Sequence, residues 1–375
     1  MSITIEEVKT KKQFNTFIDL PYRLYKNHPF FVPALRFDEK STLQKGKNPA
    51  LDECEARYWV AYKNNKPVGR IAGILNKPFI SKWNKNYLRF GWFDFAEDEK
   101  IALLLMNEVE QWAKELGMEA VHGPLGFTDL DHEGMLVQGF DYVATVAGLY
   151  NYQYYPAYLE KAGYKKDADW IEYRITLPPA TNEKLERLSD AVAKRYGLSV
   201  VPLKKSKDVL PYASQIFDLI NETYAHLYGT VPINEKQKQY YTKQYFSFIK
   251  PEFISLVADK QGRLAALGIT MPSLSAALQK SKGKLFPFGF VHLLQALRKN
   301  DTADLLIVGV RKDLQRKGVN AILMHETLKA YLKKGIKFVE TNYQLEDNTN
   351  VQAMFDYFEK VQHKRRRCYI KYLKE

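Results

Sequence analysis

The 375-residue sequence predicts an α/β protein of two tandem domains, 1–178 and 179–375, each with a mixed central sheet flanked by helices. Three observations predict it. The length is about two and a half times the usual ~150 residues of one domain. Hydrophobic residues make up 46% and charged residues 26%, the composition of chains that bury a core, which excludes a mainly disordered protein. The same order of elements also occurs twice, on either side of Pro178-Pro179 and the polar stretch from Thr181.

In the first pass, 57–62 and 68–75 read as strands about the turn Lys63-Asn64-Asn65-Lys66-Pro67, and Tyr87–Phe95 as a third. Ile101, Leu105, Val109, Trp112 and Leu116 recur at helical spacing until Gly117 stops them. A strand at 118–122 follows. In the second pass, strands at 253–258 and 264–271 flank Asp259-Lys260-Gln261-Gly262-Arg263, and 304–310 is a further strand. Ala321, Met324, Leu328 and Leu332 mark a helix stopped by Gly335, with a strand at 336–342 after it. The stop glycines are 218 residues apart, so the halves superpose around a helix that crosses between parallel strands.

Charge separates the halves. Residues 1–178 carry 23 basic and 24 acidic side chains, and the remainder carries 33 and 19, so the net charge of +13 lies in the second half. Such a surplus suits an anionic ligand or surface, and equally a solvated basic face. Two cysteines, Cys54 and Cys368, exclude a disulfide framework and a four-cysteine zinc site, and no metal is expected. The start MSITIEEVKTKK is too polar for a secretory signal, and no apolar run approaches the ~20 residues of a membrane span. A cytoplasmic protein is expected.

Residues 315–321, QRKGVNA, lie between a strand and a helix start. Free N–H groups and the positive helix end make that place an anion site, Arg316 and Lys317 add charge, and Gly318 allows close backbone approach. A polar turn is the plainer alternative. The segment resembles the pyrophosphate loop of acyl-CoA-dependent GNAT acyltransferases, Gln/Arg-x-x-Gly-x-Gly/Ala, through Gln315 and Gly318; Asn320 departs from the small third position. Asn350, Ala353 and Tyr357 match the family's Asn-x-x-Ala-x-x-x-Tyr on the next helix, although Val361 and Gln362 replace the usual Gly-Phe. The resemblance implies that coenzyme A, as co-substrate, lies between the splayed strands 304–310 and 336–342. Its contacts would be Val308, Val310, Gln315, Arg316, Lys317, Gly318, and then Val319, Asn320 and Asn350, with Tyr357 protonating the leaving thiolate.

By the same register the first half has Glu97–Ala102, EDEKIA, in place of the anion loop, and three carboxylates without a glycine would repel pyrophosphate. It keeps the closing Gly163-Tyr164, which makes it the degenerate copy. Segments HPFFVPAL (28–35), NPAL (48–51), GRIAG (69–73), GPLGFTDLDHEG (123–134) and GKLFPFG (283–289) resemble the tandem GNAT-like group that includes bacterial ceramide synthases. That resemblance implies transfer of an acyl group from acyl-CoA to the amine of a sphingoid long-chain base.

Two insertions carry further candidates. The first half has about 20 extra residues after Gly117, including Asp129, Asp131, His132 and Glu133. An ammonium becomes nucleophilic only on losing a proton, so Glu133 and His132 are the candidate bases and Asp129 and Asp131 candidate amine ligands; a capped, solvated loop is the alternative. In the second half, Phe286, Phe288 and Phe290 are interleaved with Lys280, Lys282 and Lys284. An apolar segment with basic flanks suits a lipid substrate or an anionic membrane surface at the inner face, and a cover packed over the core is the alternative. At ~0.8 kcal/mol per methylene, moving a twelve-methylene chain into water costs on the order of 10 kcal/mol, so a lipid enzyme needs such a surface or groove. His363-Lys364-Arg365-Arg366-Arg367 reads as a charged turn before a last strand at 368–373. Nucleic acid is not an expected partner. Two other functions fit the same pattern: an aminoacyl-tRNA-dependent GNAT-fold transferase, and a non-catalytic lipid-binding protein.

Overall fold

A computed structural model describes residues 2–246 and 249–373. The chain forms two compact units: 1–171 with 275–293 and 363–375, and 172–274 with 294–362. The expected boundary at 178 lies close to the first passage between units, and the chain then returns to the first unit twice.

The first unit is built on a mixed sheet. Ile3–Glu7, Cys54–Lys63, Lys66–Asn76 and Tyr87–Phe95 pair antiparallel in that order. Tyr87–Phe95 then pairs parallel with Ala120–Gly123, through Tyr87↔Ala120 to Arg89↔His122. The helix Glu99–Glu115 makes the crossover, burying Ile101, Leu105, Val109 and Trp112 against the sheet. It comes close because of GRIAG: a Cβ at Gly69 would stand 2.8 Å from Ile101 and Leu105, and one at Gly73 2.9 Å from Trp112. Burying such apolar faces is the main stabilising term of the unit, at roughly 25 cal/mol per Å².

The strand Glu359–Tyr372 extends this sheet, with Tyr369↔Gly123 to Tyr372↔Ala120 antiparallel, and has Lys165–Thr176 on its other side. The basic run is therefore not a turn. His363, Lys364 and Arg366 are buried within the strand, Arg366 fully so. Arg365 and Arg367 bond the buried Asp169 at 2.9 and 2.8 Å, and Arg366 donates to the Leu149 carbonyl. Asp169 is held below the usual carboxylate range: burial raises it, but the hydrogen bonds from Arg367 and Arg365 outweigh that.

The second unit repeats the plan. Leu198–Val200, Ile254–Asp259, Leu264–Pro272 and Thr302–Val310 pair antiparallel. Thr302–Val310 pairs parallel with Phe338–Thr341, and the helix Asn320–Lys334 crosses between them. Ile322 and Leu323 of that helix join Val192, Val257, Ala265 and Ala266 in the core. In both units the central strand carries a β-bulge midway: pairs step from Arg70↔Asp94 to Ala72↔Gly91, and from Ile269↔Ile307 to Thr270↔Leu305.

Candidate active site

In the second unit the loop after Thr302–Val310 is shaped for an anion. Arg316 and Gly318 both take left-handed backbone, φ +59° and +78°, on either side of Lys317. The amides of 316–320 make no backbone hydrogen bond among the described residues, and the next in line, Ala321 N, bonds Gly318 O at 2.9 Å. Alternating handedness turns successive N–H groups inward as a concave nest, here at the positive end of a 15-residue helix. Gln315 braces it by donating Nε2 to Val310 O at 3.0 Å. Gln315, Arg316 and Lys317 are exposed, Gly318 and Asn320 half-buried, and Val319 is anchored in the core.

Beside the nest runs a strand edge that no further strand pairs among the described residues, where Tyr224 OH donates to Val308 O at 3.1 Å. Pairing with Phe338–Thr341 ends at Leu305↔Thr341, so Leu306 to Val310 continue without a strand on that side. Asn342 braces the opening, its N on Leu305 O at 2.8 Å and its Nδ2 on Leu306 O at 3.2 Å. The half-buried Val308 and Val310 lie on this strand. Asn350 is exposed on the four-residue helix Thr349–Gln352. The helix expected to carry Asn350, Ala353 and Tyr357 is short: it tightens into a 3-10 turn at Ala353–Phe355, and Gln352 Nε2 donates to Leu345 O and Glu346 O. Tyr357 lies past its end and is 69% exposed.

The first unit lacks both features. Only three residues join Phe95 to Glu99, and Asp98 caps the helix by accepting from Lys100 N at 3.1 Å, while Lys63 pairs with its other oxygen. The free edge past Arg89 is filled as well. Tyr155 OH bonds both Phe95 N and Phe95 O, at 2.7 and 3.0 Å, and its ring stacks on Phe95 at 4.0 Å.

What this unit has instead is the insertion loop. Asp131 Oδ2 accepts from Phe127 N and Thr128 N at 2.8 and 3.0 Å, and burial pushes its carboxyl up to about 7. Glu133 is 6% exposed, with Oε1 lacking a hydrogen-bond partner. Burial raises it well above the usual carboxylate range, Asp129 and Asp131 push the same way, and Arg89 opposes them. Arg89 is itself fully buried and donates to Gly126 O at 2.8 Å.

His132 points elsewhere. With Trp92, Asp94, Gly134, Asn151 and Tyr155 it lines a cavity of about 30 Å³, room for one water. Its Nδ1 stands 2.8 Å from Ala147 O, which calls for a proton there and leaves Nε2 as the basic nitrogen. Burial, aided by Arg366, holds the ring below its ordinary pKa, so it is neutral at pH 7. Glu133, Asp129 and Asp131 do not line this cavity. Trp92, at the bulge with φ +45°, is on the same lining.

Asp94, Asn151 and Tyr155 were missed by sequence reasoning. Asp94 is a charge in the otherwise apolar run 90–95, and that was its signal; Arg70 Nε meets it at 2.7 Å and Tyr25 OH at 3.0 Å. Phe286, Phe288 and Phe290 lie in the first unit, 76%, 71% and 41% exposed, with Lys280, Lys282 and Lys284 exposed beside them. His122, Asp167 and Cys368 bring ligand atoms within 4.8 Å of one another, but Arg89 and Lys85 supply positive charge that opposes a cation there. Among the described residues, no helix is long and apolar enough to cross a membrane.

No family model matches the chain. It is 27% identical over 372 residues to Protein YghO of Escherichia coli strain K12, covering 96% of this chain and 93% of that protein. It is 23% identical over 356 residues to the bacterial ceramide synthase of Caulobacter vibrioides, covering 92% and 89%. Among solved structures, a tandem GNAT protein from the clavulanic acid biosynthesis pathway superposes with TM-score 0.56 at 13% identity, covering 99% of each chain. A GCN5-related N-acetyltransferase from Sphaerobacter thermophilus gives 0.53 at 11%, covering 100% and 96%. The same mixed strand order in both units, with its parallel-strand crossover and midway bulge, and these neighbours have one reading: the chain has the tandem GNAT fold.

Proposed function

We propose that the protein is an acyl-CoA-dependent N-acyltransferase acting on the amine of a sphingoid-type long-chain base. The observation that carries the acyl-CoA half is the nest at 316–320 beside the open edge of Leu306 to Val310. Phosphate oxygens accept from such N–H groups, and an extended pantetheine amide pairs with such an edge as a strand would. Val308, Val310, Gln315 to Asn320 and Asn350 are the residues assigned to the cofactor. The likeness to a bacterial ceramide synthase supports the amine half.

The chemistry divides accordingly. As the amine nitrogen attacks the thioester carbon and the carbon–sulfur bond breaks to release the thiolate, the amine's proton needs an acceptor, and His132 Nε2 is the base we assign to it. Tyr357, with its exposed hydroxyl, is the donor we assign to that thiolate. Glu133 is a positioning residue acting through Arg89 and the loop that carries His132; Asp131 stabilises the turn before it. Phe286, Phe288 and Phe290 with the neighbouring lysines are assigned to lipid or an anionic membrane surface.

The test is turnover. Purified full-length protein is given acyl-CoA of several chain lengths with sphinganine, and the readouts are free thiol and N-acylated product by mass spectrometry. Thiol release that depends on the amine supports the reading. Its absence with every donor and amine overturns it.

A further inference from the structure

A second cavity, of about 890 Å³, opens in the first unit. Tyr150, Tyr152 and Tyr154 line it. Each gives its hydroxyl to a main-chain carbonyl: Tyr150 to Phe140 at 3.1 Å, Tyr152 to Leu24 at 3.0 Å and Tyr154 to Phe95 at 2.7 Å. With those donors committed, the rings are what remains to meet a ligand. Tyr152 and Tyr154 stack at 5.4 Å. His28, also on the lining, stands 4.5 Å from Tyr150 and edge-on to Tyr152 at 5.3 Å. Burial lowers the His28 pKa, so it adds an uncharged ring.

Two carboxylates share the lining, Glu97 and Asp141. Both are exposed, and neither forms an ion pair among the described residues. Their field reaches the rings: burial raises Tyr154 and Glu97 adds to it, and burial with Tyr152 and Asp141 pushes Tyr150 up to about 12. No lysine or arginine lines the cavity. Tyr152 is stacked by Tyr25 at 4.9 Å as well as by Tyr154, so the Tyr150 ring and two carboxylates without cationic partners are what attracts a cation. Leu24, Phe30 and Phe140 add apolar wall. Glu97 belongs to the short link that replaces the anion nest in this unit, so the charge preference there is inverted.

We propose that this cavity binds an aliphatic primary amine as its ammonium ion, held by Glu97 and Asp141 beside the Tyr150 ring. The inference deepens the acyl-transfer reading and rests on it for the ligand's class. Tyr150 lines both this cavity and the small one beside His132, so the amine and its base occupy neighbouring sites. A cavity of this size accommodates a head group together with part of an alkyl chain.

Calorimetry on the full chain at pH 7 tests it, with octylammonium as probe and octanol as its uncharged counterpart. Octanol binds at least about tenfold more weakly, and Glu97→Gln with Asp141→Asn weakens octylammonium by at least about tenfold. Equal affinity for the two probes, or an unchanged affinity in the double variant, overturns the site. Acyl-CoA turnover in the same samples separates the two claims. Amine binding with no thiol release leaves the site and removes the reaction, whereas turnover at unchanged KM in the double variant leaves the reaction and removes the site.

Discussion

Gly117 and Gly335 end the two crossover helices with the same left-handed backbone, φ +68° and +73°. The residue after each closes the same turn: Met118 N meets Ala113 O at 2.9 Å, and 218 residues later Ile336 N meets Tyr331 O at 3.0 Å. A Cβ at either glycine has nothing within 4 Å, so a substitution there strains only the backbone. Gly117→Ala and Gly335→Ala should each cost about 1 kcal/mol, equally, in denaturant unfolding. Unequal costs would mean the two turns are not equivalent.

Gly318→Asp forces a side chain into left-handed backbone, with its Cβ 3.3 Å from Val192, and sets a carboxylate in the nest. Losing one charge-assisted hydrogen bond, at about 1.5–3 kcal/mol, weakens acyl-CoA by about 10–100-fold. Wild-type affinity in a folded variant would place the pyrophosphate elsewhere.

His132→Gln retains a donor for Ala147 O but removes the basic nitrogen, so kcat should fall by about 10²–10⁴-fold. The neutral ring is the active form, and wild-type activity should decline as pH falls below a pKa under the ordinary 6.5. That acidic limb disappears in the variant. Glu133→Gln, compared under the same conditions, keeps the limb; its loss there would move the base to Glu133.

Asp131 gives a stability signature with a definite sign. Its folded-state pKa, about 7, lies above the ~3.9 of an unfolded chain, so the folded protein holds the proton more tightly. The stabilisation is complete below about pH 3.9 and is lost as pH rises through 7, with a slope of at most about 1.4 kcal/mol per pH unit. Asp131→Asn flattens that part of the profile. An unchanged slope in urea melts from pH 4 to 7 would assign it to another group.

Phe286 and Phe288 are the most exposed large apolar side chains among the described residues. Replacing both with Ser should lower binding to anionic vesicles, or long-chain turnover, while sparing a short-chain donor. No change in either would reduce the segment to a structural cover.

What was legible in the sequence was local. A helical stripe, a stop glycine and a basic Gly loop between strand and helix each involve neighbours in the chain, and the structure places all of them; the turn read at 63–67 is shorter, because Lys63 pairs with Lys66 and leaves only Asn64 and Asn65 between the strands. What was not legible depends on distant partners. His363 to Arg367 read as a turn because Asp169, the acid that draws Arg365 and Arg367 into a strand, lies almost 200 residues away. Glu133 and His132 are adjacent, and only the folded loop shows that one faces Arg89 and the other a cavity. The tyrosines at 150, 152 and 154 look like any alternating run until Leu24, Phe95 and Phe140 bind their hydroxyls.

The strand from Glu359 to Tyr372 also governs the order of events at the ribosome. The edge of Ala120–Gly123 is made well before the segment that covers it, which lies far along the chain. Until then the nascent first unit presents an unpaired strand edge, and Asp169 waits without its two arginines. N-terminal-first folding, the habit of multidomain chains, would therefore leave this sheet incomplete until that segment is made. A chain truncated near residue 360 would leave both that edge and that carboxylate exposed to self-association.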